Sequence, residues 1–249
     1  MHKINNNICP GRKPVLDLIR DDPLRCLKLF IGENVNIKFR DEIINLAKSH
    51  NIKFNIVKND MLDKISNGEN HQGVICELKT VKYFELDEFI NNLKSERALI
   101  VILDHIEDPH NLGAIIRTAE AGGASCVIFP KDRAALPSGT VIKTSAGASL
   151  RLPLIQVVNI NSAIEKLKNK NFWVLGLDEK SNINIYDEKF PDKTALIIGA
   201  EGSGISRLVK KNCDILLRIP IKSGGVGSLN ASVAASLGIF EWTKESKNF

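Results

Sequence analysis

Apolar and amphipathic segments alternate along most of the chain. Between residues 98 and 221 the apolar runs are short and continuous, as in ALIVILD, CVIFP and TALIIGA. Most are separated by segments with apolar residues at helical spacing, such as NLGAIIRTAEAGG. Continuous apolar runs of this length are typical of strands buried on both faces of a parallel sheet. The pattern therefore predicts an α/β domain with a mainly parallel sheet over residues 97–249.

The first third of the chain repeats this alternation on a smaller scale. CLKLFIG, FNIV and GVICEL are predicted strands, and PVLDLIRDD, RDEIINLAKSHN and DMLDKIS are predicted helices, with Asp41 as a plausible N-cap. We expect a mostly parallel sheet covered on both faces. Residues 79–96 are highly charged with weak periodicity, so they are the candidate linker between a domain at 1–78 and a domain at 97–249.

Composition narrows the class of protein without identifying a function. The 249 residues are 43% hydrophobic and 25% charged, which is typical of soluble globular proteins, and the net charge of +5 permits a nucleic-acid partner without establishing one. The five cysteines are far apart and form no CxxC pair, which argues against a zinc site or a redox dithiol. With no secretory signal and no membrane-length apolar run, we expect a cytoplasmic protein with reduced thiols.

Three polar loops follow predicted strands, after Asp104, Ile198 and Ile219. Ligands bind beyond the carboxyl ends of the strands in such sheets, so these loops are the candidate functional segments. In the first loop, DPHNLGAIIRT, Asn111 is a candidate helix cap and Arg117 lies off the apolar stripe of the helix. A capped helix with a solvated arginine is the simpler interpretation of this loop alone.

The second loop, IGAEGSGIS, has a glycine-rich turn before a helix, as phosphate-binding loops do. Its glycine order differs from the dinucleotide motif and it lacks the P-loop lysine, so a dehydrogenase is disfavoured. Glu201 would repel a polyphosphate but could accept a bond from a cation, a hydroxyl or an amine. A tight turn with an exposed glutamate is the alternative.

The third loop, IPIKSGGVGSLNAS, joins a glycine-rich segment to a helix of small residues. Gly224, Gly225 and Gly227 permit positive backbone angles, and Ser228 or Asn230 could cap the helix. A cap explains one polar residue but not the whole set. The small residues of the following helix would allow a partner to approach closely: Ala231, Ala234, Ala235 and Gly238.

Together the three loops resemble the SpoU (TrmH-like) family of RNA ribose 2′-O-methyltransferases, in the SPOUT class. The matching motif residues are Asn111 and Arg117, then Gly199, Glu201 and Gly202, then Ile219, Pro220, Ser228, Leu229, Asn230 and Ser232. GRKPVLDLI and HQGVICEL are similar to the start and end of the small ribosomal-protein-like domain of RlmB-type rRNA methyltransferases. The resemblance covers residues 9 to about 243.

The resemblance implies transfer of a methyl group from S-adenosylmethionine to a ribose 2′-hydroxyl in RNA, with a guanosine of 23S rRNA as the first candidate. It implies a small N-terminal α/β domain that binds RNA and a C-terminal SPOUT domain, whose parallel sheet contains a deep trefoil knot. It also implies a homodimer with composite sites. S-adenosylmethionine is the only cofactor expected, and no metal is expected.

The resemblance also assigns roles to individual residues. It implies that Arg117 activates the hydroxyl. Because a guanidinium is a poor base, Arg117 could instead polarise the hydroxyl and clamp the adjacent phosphate, and by its own chemistry His110 is a rival proton acceptor. The implied catalytic residues are Asn111, Arg117, Glu201, Ser228 and Asn230. The implied cofactor-binding residues are Gly199, Ala200, Gly202, Ile219, Ile221, Leu229 and Ala231. The implied RNA contacts are Arg12, Lys13, His71, Gln72 and Gly73.

Other functions stay open at this point. A tRNA methyltransferase or a resistance-type rRNA methyltransferase of the same family would share these motifs. A non-catalytic ribosome-assembly protein could keep the fold, although the intact set of site residues disfavours it. The chain departs from the family pattern at Lys13, at Leu150 and in the length of the third loop, and these departures bear on RNA contacts more than on the reaction.

Overall fold

The computed structural model describes residues 8–135, 139–222 and 228–245. The chain divides into two units, unit 1 at residues 1–80 and unit 2 at residues 81–249. Gly224, Gly225 and Gly227 lie outside the described residues.

Unit 1 is a four-stranded sheet with three α-helices among its described residues. The strands are β1 (Ile8–Pro10), β2 (Cys26–Gly32), β3 (Lys53–Val57) and β4 (Val74–Leu78). The helices are α1 (Arg12–Asp21), α2 (Ile37–Ser49) and α3 (Asn59–Ser66). A core on one face of the sheet joins Val15 and Ile19 of α1, Ile43 and Ala47 of α2, and Leu29 and Ile31 of β2.

The sheet of unit 1 differs from the expected mostly parallel one. Its order is β1-β4-β2-β3, and only β2 and β3 are parallel, while β1–β4 and β2–β4 are antiparallel. The expectation was wrong because the alternation of strands and helices does not determine strand direction. In this sheet β4 lies between β1 and β2 and runs antiparallel to both. The proposed cap was also wrong: Asp41 lies inside α2, and Asn36 is the N-cap, its Oδ1 accepting from the Lys38 amide at 2.9 Å.

Unit 2 is built on seven strands, and every neighbouring pair of them is parallel, as predicted for this domain. The strands are β5 (Tyr83–Phe84), β6 (Ala98–Asp104), β7 (Cys126–Pro130), β8 (Leu154–Val157), β9 (Trp173–Leu177), β10 (Lys193–Gly199) and β11 (Ile215–Leu217). Their order across the sheet is β11-β9-β10-β6-β7-β8-β5.

Six α-helices lie among the described residues of unit 2. They are α4 (Leu86–Asn92), α5 (Pro109–Ala121), α6 (Gly139–Thr144), α7 (Ile160–Lys168), α8 (Arg207–Lys211) and α9 (Ala231–Thr243). Residues 79–96, expected as a linker, contain β5, which pairs with β8, and α4, which packs on β8 and α7. All seven residues of β6 are buried because helices cover both faces of the sheet at its centre.

The small residues of α9 pack within unit 2. Ala231, Ala235 and Gly238 are buried, and a Cβ added to Gly238 would lie 2.9 Å from the Leu196 side chain of β10. These three small residues therefore let α9 approach its own sheet, and the expected close approach of a partner along this helix stays a prediction. The exposed apolar side chains of α9 are Val233 and Phe240.

Candidate active site

The carboxyl ends of the two central strands meet at one edge of the unit 2 sheet. Strand β10 pairs with β6 in a register that places Gly199 opposite Asp104. Strand β9 ends beside them at Leu177, which is paired with Leu217 of β11. Because all four strands run in one direction, the loops that follow them gather at this edge.

A cleft lies at this edge, with a volume of about 890 Å³ that includes space open to solvent. Its lining includes Glu201 and Ser228 and all seven residues predicted to bind the cofactor, namely Gly199, Ala200, Gly202, Ile219, Ile221, Leu229 and Ala231. Ile198 and Leu217 add to its apolar wall, and Asp178 and Lys210 form an ion pair of 2.6 Å at its side. We name this the first cleft. A pocket that combines apolar walls with polar and charged groups suits a small organic ligand.

The second loop forms the first cleft's wall through close backbone contacts. A Cβ added to Gly199 would lie 2.1 Å from the carbonyl carbon of Gly204, so only glycine fits at position 199. Ala200 and Gly204 exchange both backbone hydrogen bonds, at 3.1 and 2.8 Å. Gly202 and Gly204 have φ of +82° and +65°, angles that favour glycine. The three glycines therefore build a tight turn that presents backbone to the cleft.

Asn111, Glu201 and Asn230 join the three loops through their side chains. Asn111 Nδ2 donates to Glu201 Oε2 at 3.3 Å, and Asn230 Nδ2 donates to Asn111 Oδ1 at 2.9 Å. Asn230 also caps α9, because its Oδ1 accepts from the Ser232 amide at 2.9 Å. We name these three residues the amide–carboxylate network.

Asn111 is available to this network because it does not cap α5. Asp108 is the N-cap instead, its Oδ1 accepting from the His110 amide at 3.0 Å, so the capping role suggested for Asn111 was wrong. Asn111 lies within the first turn of the helix and is buried, with 8% of its surface exposed. A buried amide needs partners for both its donor and its acceptor, and Glu201 and Asn230 supply them.

A second cleft lies beside the first and shares Ala200, Glu201 and Ser203 with it. We name it the second cleft. Its other lining residues are His105, Ile106, Glu107, Asp108, Asn111, Arg133 and Ser206. The sequence analysis did not identify His105 or Arg133 as site residues. His105 lies in the first loop, where the turn and helix residues were considered instead. A histidine directly after a buried strand that ends in aspartate was the available signal.

Arg117 and His110 are not brought to either cleft. Both side chains are exposed, and neither lines a cleft. Arg117 follows Asn111 by six residues, a rotation of roughly 240° around a helix with 3.6 residues per turn. The two side chains therefore leave α5 in different directions, and a single chain does not place both in one cleft. Arg117 has no hydrogen-bonding or ionic partner among the described residues.

The predicted RNA contacts of unit 1 lie together at the start of α1 and the loop before β4. Arg12 Nε donates to the Gln72 carbonyl at 3.0 Å, and the Arg12 amide donates to Gln72 Oε1 at 3.1 Å. His71 contacts Asp63 Oδ1 through Nε2 at 2.9 Å and accepts from the Gly73 amide through Nδ1 at 3.0 Å. Lys13 is exposed beside them. These bonds hold the loop in a fixed shape with basic side chains on its surface.

Within residues 8–135, 139–222 and 228–245, no three histidine, cysteine or acidic side chains are grouped so that they could hold a metal ion. None of the helices described is both long enough and apolar enough to cross a membrane.

Known proteins match the chain over nearly its whole length. The sequence model of the SpoU rRNA Methylase family matches residues 98–240, and a model for RNA 2′-O ribose methyltransferase substrate binding matches residues 8–84. A Bacillus subtilis protein, named for the TrmH family of tRNA/rRNA methyltransferases, is 38% identical over 233 residues, which are 93% of this chain and 92% of that protein. The 23S rRNA (guanosine-2′-O-)-methyltransferase RlmB of Haemophilus influenzae is 37% identical over 239 residues, 94% of this chain and 96% of that protein.

Solved structures agree on the fold. The SpoU methyltransferase AviRb of Streptomyces viridochromogenes, solved in complex with the cofactor AdoMet, superposes with a TM-score of 0.65 at 23% identity. The superposition covers 96% of this chain and 89% of that chain. At this identity the likeness establishes the fold, and the family resemblance of the three loops is confirmed by the sequence matches.

Proposed function

Because the chain belongs to the SpoU rRNA methylase family, we propose that it methylates the ribose 2′-hydroxyl of a guanosine in 23S rRNA, with S-adenosylmethionine as the methyl donor. The amide–carboxylate network carries this proposal, because it joins all three motif loops beside the first cleft. The choice of 23S rRNA and guanosine is supported by the likeness to the Haemophilus influenzae RlmB protein.

The residues of the first cleft fit S-adenosylmethionine. The donor supplies a methyl group made electrophilic by its sulfonium. Ile219 and Leu229 offer apolar surface to an adenine ring, and the backbone of the glycine turn can approach the donor closely because no Cβ intervenes. Glu201 places a negative charge at the junction of the two clefts, where it favours a cationic ligand.

The chain's own task is alignment of the two reactants. Transfer to a hydroxyl leaves a neutral sulfur, so the protein has no leaving anion to stabilise, and orientation provides much of the rate. Asn111 and Asn230 hold Glu201 and the start of α9 in place, and Ser228 lines the first cleft beside them. These side chains orient the ribose rather than react with it.

Arg117 requires a second copy of the chain to reach the clefts. Its side chain points away from Asn111 on α5 and is exposed without a partner in the described part of the chain. A homodimer in which α5 of one copy faces the site of the other would let Arg117 polarise the hydroxyl and clamp a phosphate. The homodimer and the trefoil knot stay predictions of the family resemblance.

The proposal is tested by incubating the purified protein with labelled S-adenosylmethionine and total RNA from cells that lack this protein. Labelled 23S rRNA with one new 2′-O-methylguanosine is the expected result. Label in tRNA, or at a different nucleotide, would redirect the target within the family. No label in any RNA would contradict the enzyme assignment and favour an RNA-binding assembly protein.

The composite site is tested by mixing two inactive variants. Arg117→Ala should lower turnover while barely changing cofactor affinity, and Arg117→Lys should rescue little because lysine lacks the planar fork. After subunit exchange, an equal mixture of Arg117→Ala and Asn230→Ala chains should regain about a quarter of the native rate, since half the dimers then carry one intact site. Absence of recovery would show that both residues act within one chain.

We place the reaction in the cytoplasm, where ribosomal RNA is made. The five cysteines are free in the structure, in agreement with a reducing compartment.

A further inference from the structure

His105 is held in an unusual position at the end of the central strand. Asp104 is the last residue of β6, and its side chain is fully buried. His105 follows it with φ of +63°, a left-handed angle that costs energy for a residue with a Cβ. The angle turns the imidazole back toward the carboxylate, and Nδ1 lies 2.6 Å from Asp104 Oδ1. The other carboxylate oxygen, Oδ2, accepts from the Ser206 amide at 2.7 Å.

The buried carboxylate determines which imidazole nitrogen carries the proton. An ionised carboxylate only accepts hydrogen bonds, so Nδ1 must be the donor in this pair. In the neutral ring Nε2 then presents a free lone pair. Nε2 has no hydrogen-bonding partner among the described residues, and 41% of the side chain is exposed. Aspartate thus orients the imidazole and leaves one basic nitrogen available at the surface of the second cleft.

The second cleft adjoins the first cleft. It shares Glu201, Ala200 and Ser203 with the first cleft, so a group bound in it lies next to a ligand in the first. Asn111 of the amide–carboxylate network also lines it, and Arg133 provides a cation without a partner among the described residues. A ribose with its phosphate matches this lining, because the cation can contact a phosphate and the polar side chains can contact hydroxyls.

We propose that the second cleft receives the acceptor ribose and that Nε2 of His105 accepts the proton of its 2′-hydroxyl, an inference that rests on the proposed function. As the new O–C bond forms, the C–S bond of the donor breaks and its electron pair stays on sulfur. The hydroxyl proton moves to Nε2. The positive charge of the sulfonium thus disappears as an imidazolium forms, and the imidazolium later loses its proton to water.

The charges around His105 suit this step. Asp104 of β6 contacts Nδ1 directly, and Glu107 and Asp108, which precede α5 along the chain, line the same cleft. Glu201 faces it from the loop after β10, and Arg133 is the one cation that lines the second cleft among the described residues. The excess of negative charge stabilises the imidazolium as it forms.

His105 fits the role better than the other candidates. A guanidinium is a poor proton acceptor because its pKa exceeds about 12, so Arg117 can polarise the hydroxyl but does not take its proton. His110 lines neither cleft. An oriented Asp–His pair with a free Nε2 is the arrangement that general bases use in hydrolytic enzymes.

The backbone angle guides the choice of variants. His105→Asn keeps a hydrogen-bond donor for Asp104 and tolerates a positive φ, but it has no basic nitrogen. His105→Gly suits the angle without strain and leaves space for free imidazole. His50→Asn, on the exposed end of α2 in unit 1, is the matched control for loss of a histidine.

The measurement is single-turnover methylation of total RNA from cells lacking this protein, with cofactor affinity determined by calorimetry. Both His105 variants should lower the rate by about 100-fold, the lower range for loss of a general base, with cofactor affinity within about twofold of native. Added imidazole should raise the rate of His105→Gly roughly tenfold and leave His105→Asn unchanged. His50→Asn should match the native protein.

The outcomes separate this inference from the proposed function. If the native protein labels no RNA, the proposed function is contradicted, whatever the His105 variants do. Near-native rates for both His105 variants, or a slow His105→Gly that imidazole does not restore, overturn the inference while methyl transfer stands. Loss of the rate in His110→Asn with a native rate in His105→Asn would assign the proton to the other histidine.

Discussion

Units 1 and 2 both alternate strands and helices, yet they differ in strand direction. In unit 2 every neighbouring strand pair is parallel, so β6, β9, β10 and β11 all end at one edge of the sheet. In unit 1 only β2 and β3 are parallel, and β4 runs against β2. Parallel strands collect the loops at their carboxyl ends on one edge, whereas antiparallel strands distribute their loops over two edges.

This difference accounts for where each unit carries its polar residues. Unit 2 has two adjoining clefts between loops that are distant in sequence. Unit 1 has a surface loop at the start of β4, fixed by Arg12 and by the His71–Asp63 pair. A cleft suits a small ligand that must be surrounded, and a fixed basic surface suits a long polyanion. We therefore expect changes in unit 1 to affect RNA and changes in unit 2 to affect chemistry.

Removing unit 1 should have the largest effect on this comparison. A chain of residues 81–249 keeps β5 and α4, which belong to unit 2, and retains every described residue that lines the first cleft. It should bind S-adenosylmethionine with native affinity in calorimetry. Its methylation of rRNA should fall by a factor on the order of 10³, the ratio between specific and non-specific nucleic-acid binding. Full activity of the shortened chain would contradict a role of unit 1 in RNA binding.

Asn111→Ala should have the next largest effect. The change leaves Glu201 and Asn230 without their shared partner, which costs about 1–3 kcal/mol of the free energy of unfolding. Because the network also orients the reactants, turnover should fall by about 100-fold. Asn36→Ala in unit 1 is the control: it removes an N-cap, costs about 1 kcal/mol and should leave turnover unchanged. Equal turnover of the two variants would show that the amide–carboxylate network does not contribute to catalysis.

Gly199→Ala should weaken cofactor binding. Its Cβ would overlap the Gly204 backbone, so the Ala200–Gly204 pair must open and the wall of the first cleft must move. We expect a destabilisation of about 1–3 kcal/mol and at least a roughly tenfold weaker affinity in calorimetry. Gly68→Ala in unit 1, at φ of +87° with open space around it, should lose about 1–2 kcal/mol of stability and no cofactor affinity. Native affinity for Gly199→Ala would show that the loop adapts.

His71→Ala should have the smallest effect. It removes the contacts that tie the loop before β4 to Asp63 and to the Gly73 amide. The loop becomes less ordered, so RNA affinity in a filter-binding assay should fall by a few-fold, an ordering cost of about 1 kcal/mol. Cofactor affinity should not change. A larger loss for Asp63→Asn than for His71→Ala would indicate that the carboxylate acts independently of the histidine.

Much of the fold of unit 2 was predictable because its signal is local. A strand buried on both faces needs a continuous apolar run, and β6, β7 and β10 each have one. The motif residues of the second and third loops follow such runs directly. For this reason the predicted cofactor residues and the observed lining of the first cleft coincide, although their role in binding stays a prediction.

Cap assignments were less predictable, because several residues near a helix start can serve. Asp41 and Asn111 were plausible caps by residue type, and Asn36 and Asp108 occupy the cap positions instead. The direction of β4 could not be predicted from the local sequence pattern either, because an apolar strand has the same sequence signature in both directions.

Sequence alone determined the alternation of elements, the two-part organisation and the family, because periodicity and motif order are properties of neighbouring residues. Only the tertiary structure decided which polar groups meet. Asn111 and Glu201 are 90 positions apart, and Asn111 and Asn230 are 119 positions apart, yet their side chains are hydrogen-bonded. The left-handed turn at His105 and the burial of Asp104 likewise depend on how β6 packs in the sheet. Contacts of this kind form between segments that are distant in the sequence, so no local pattern predicts them.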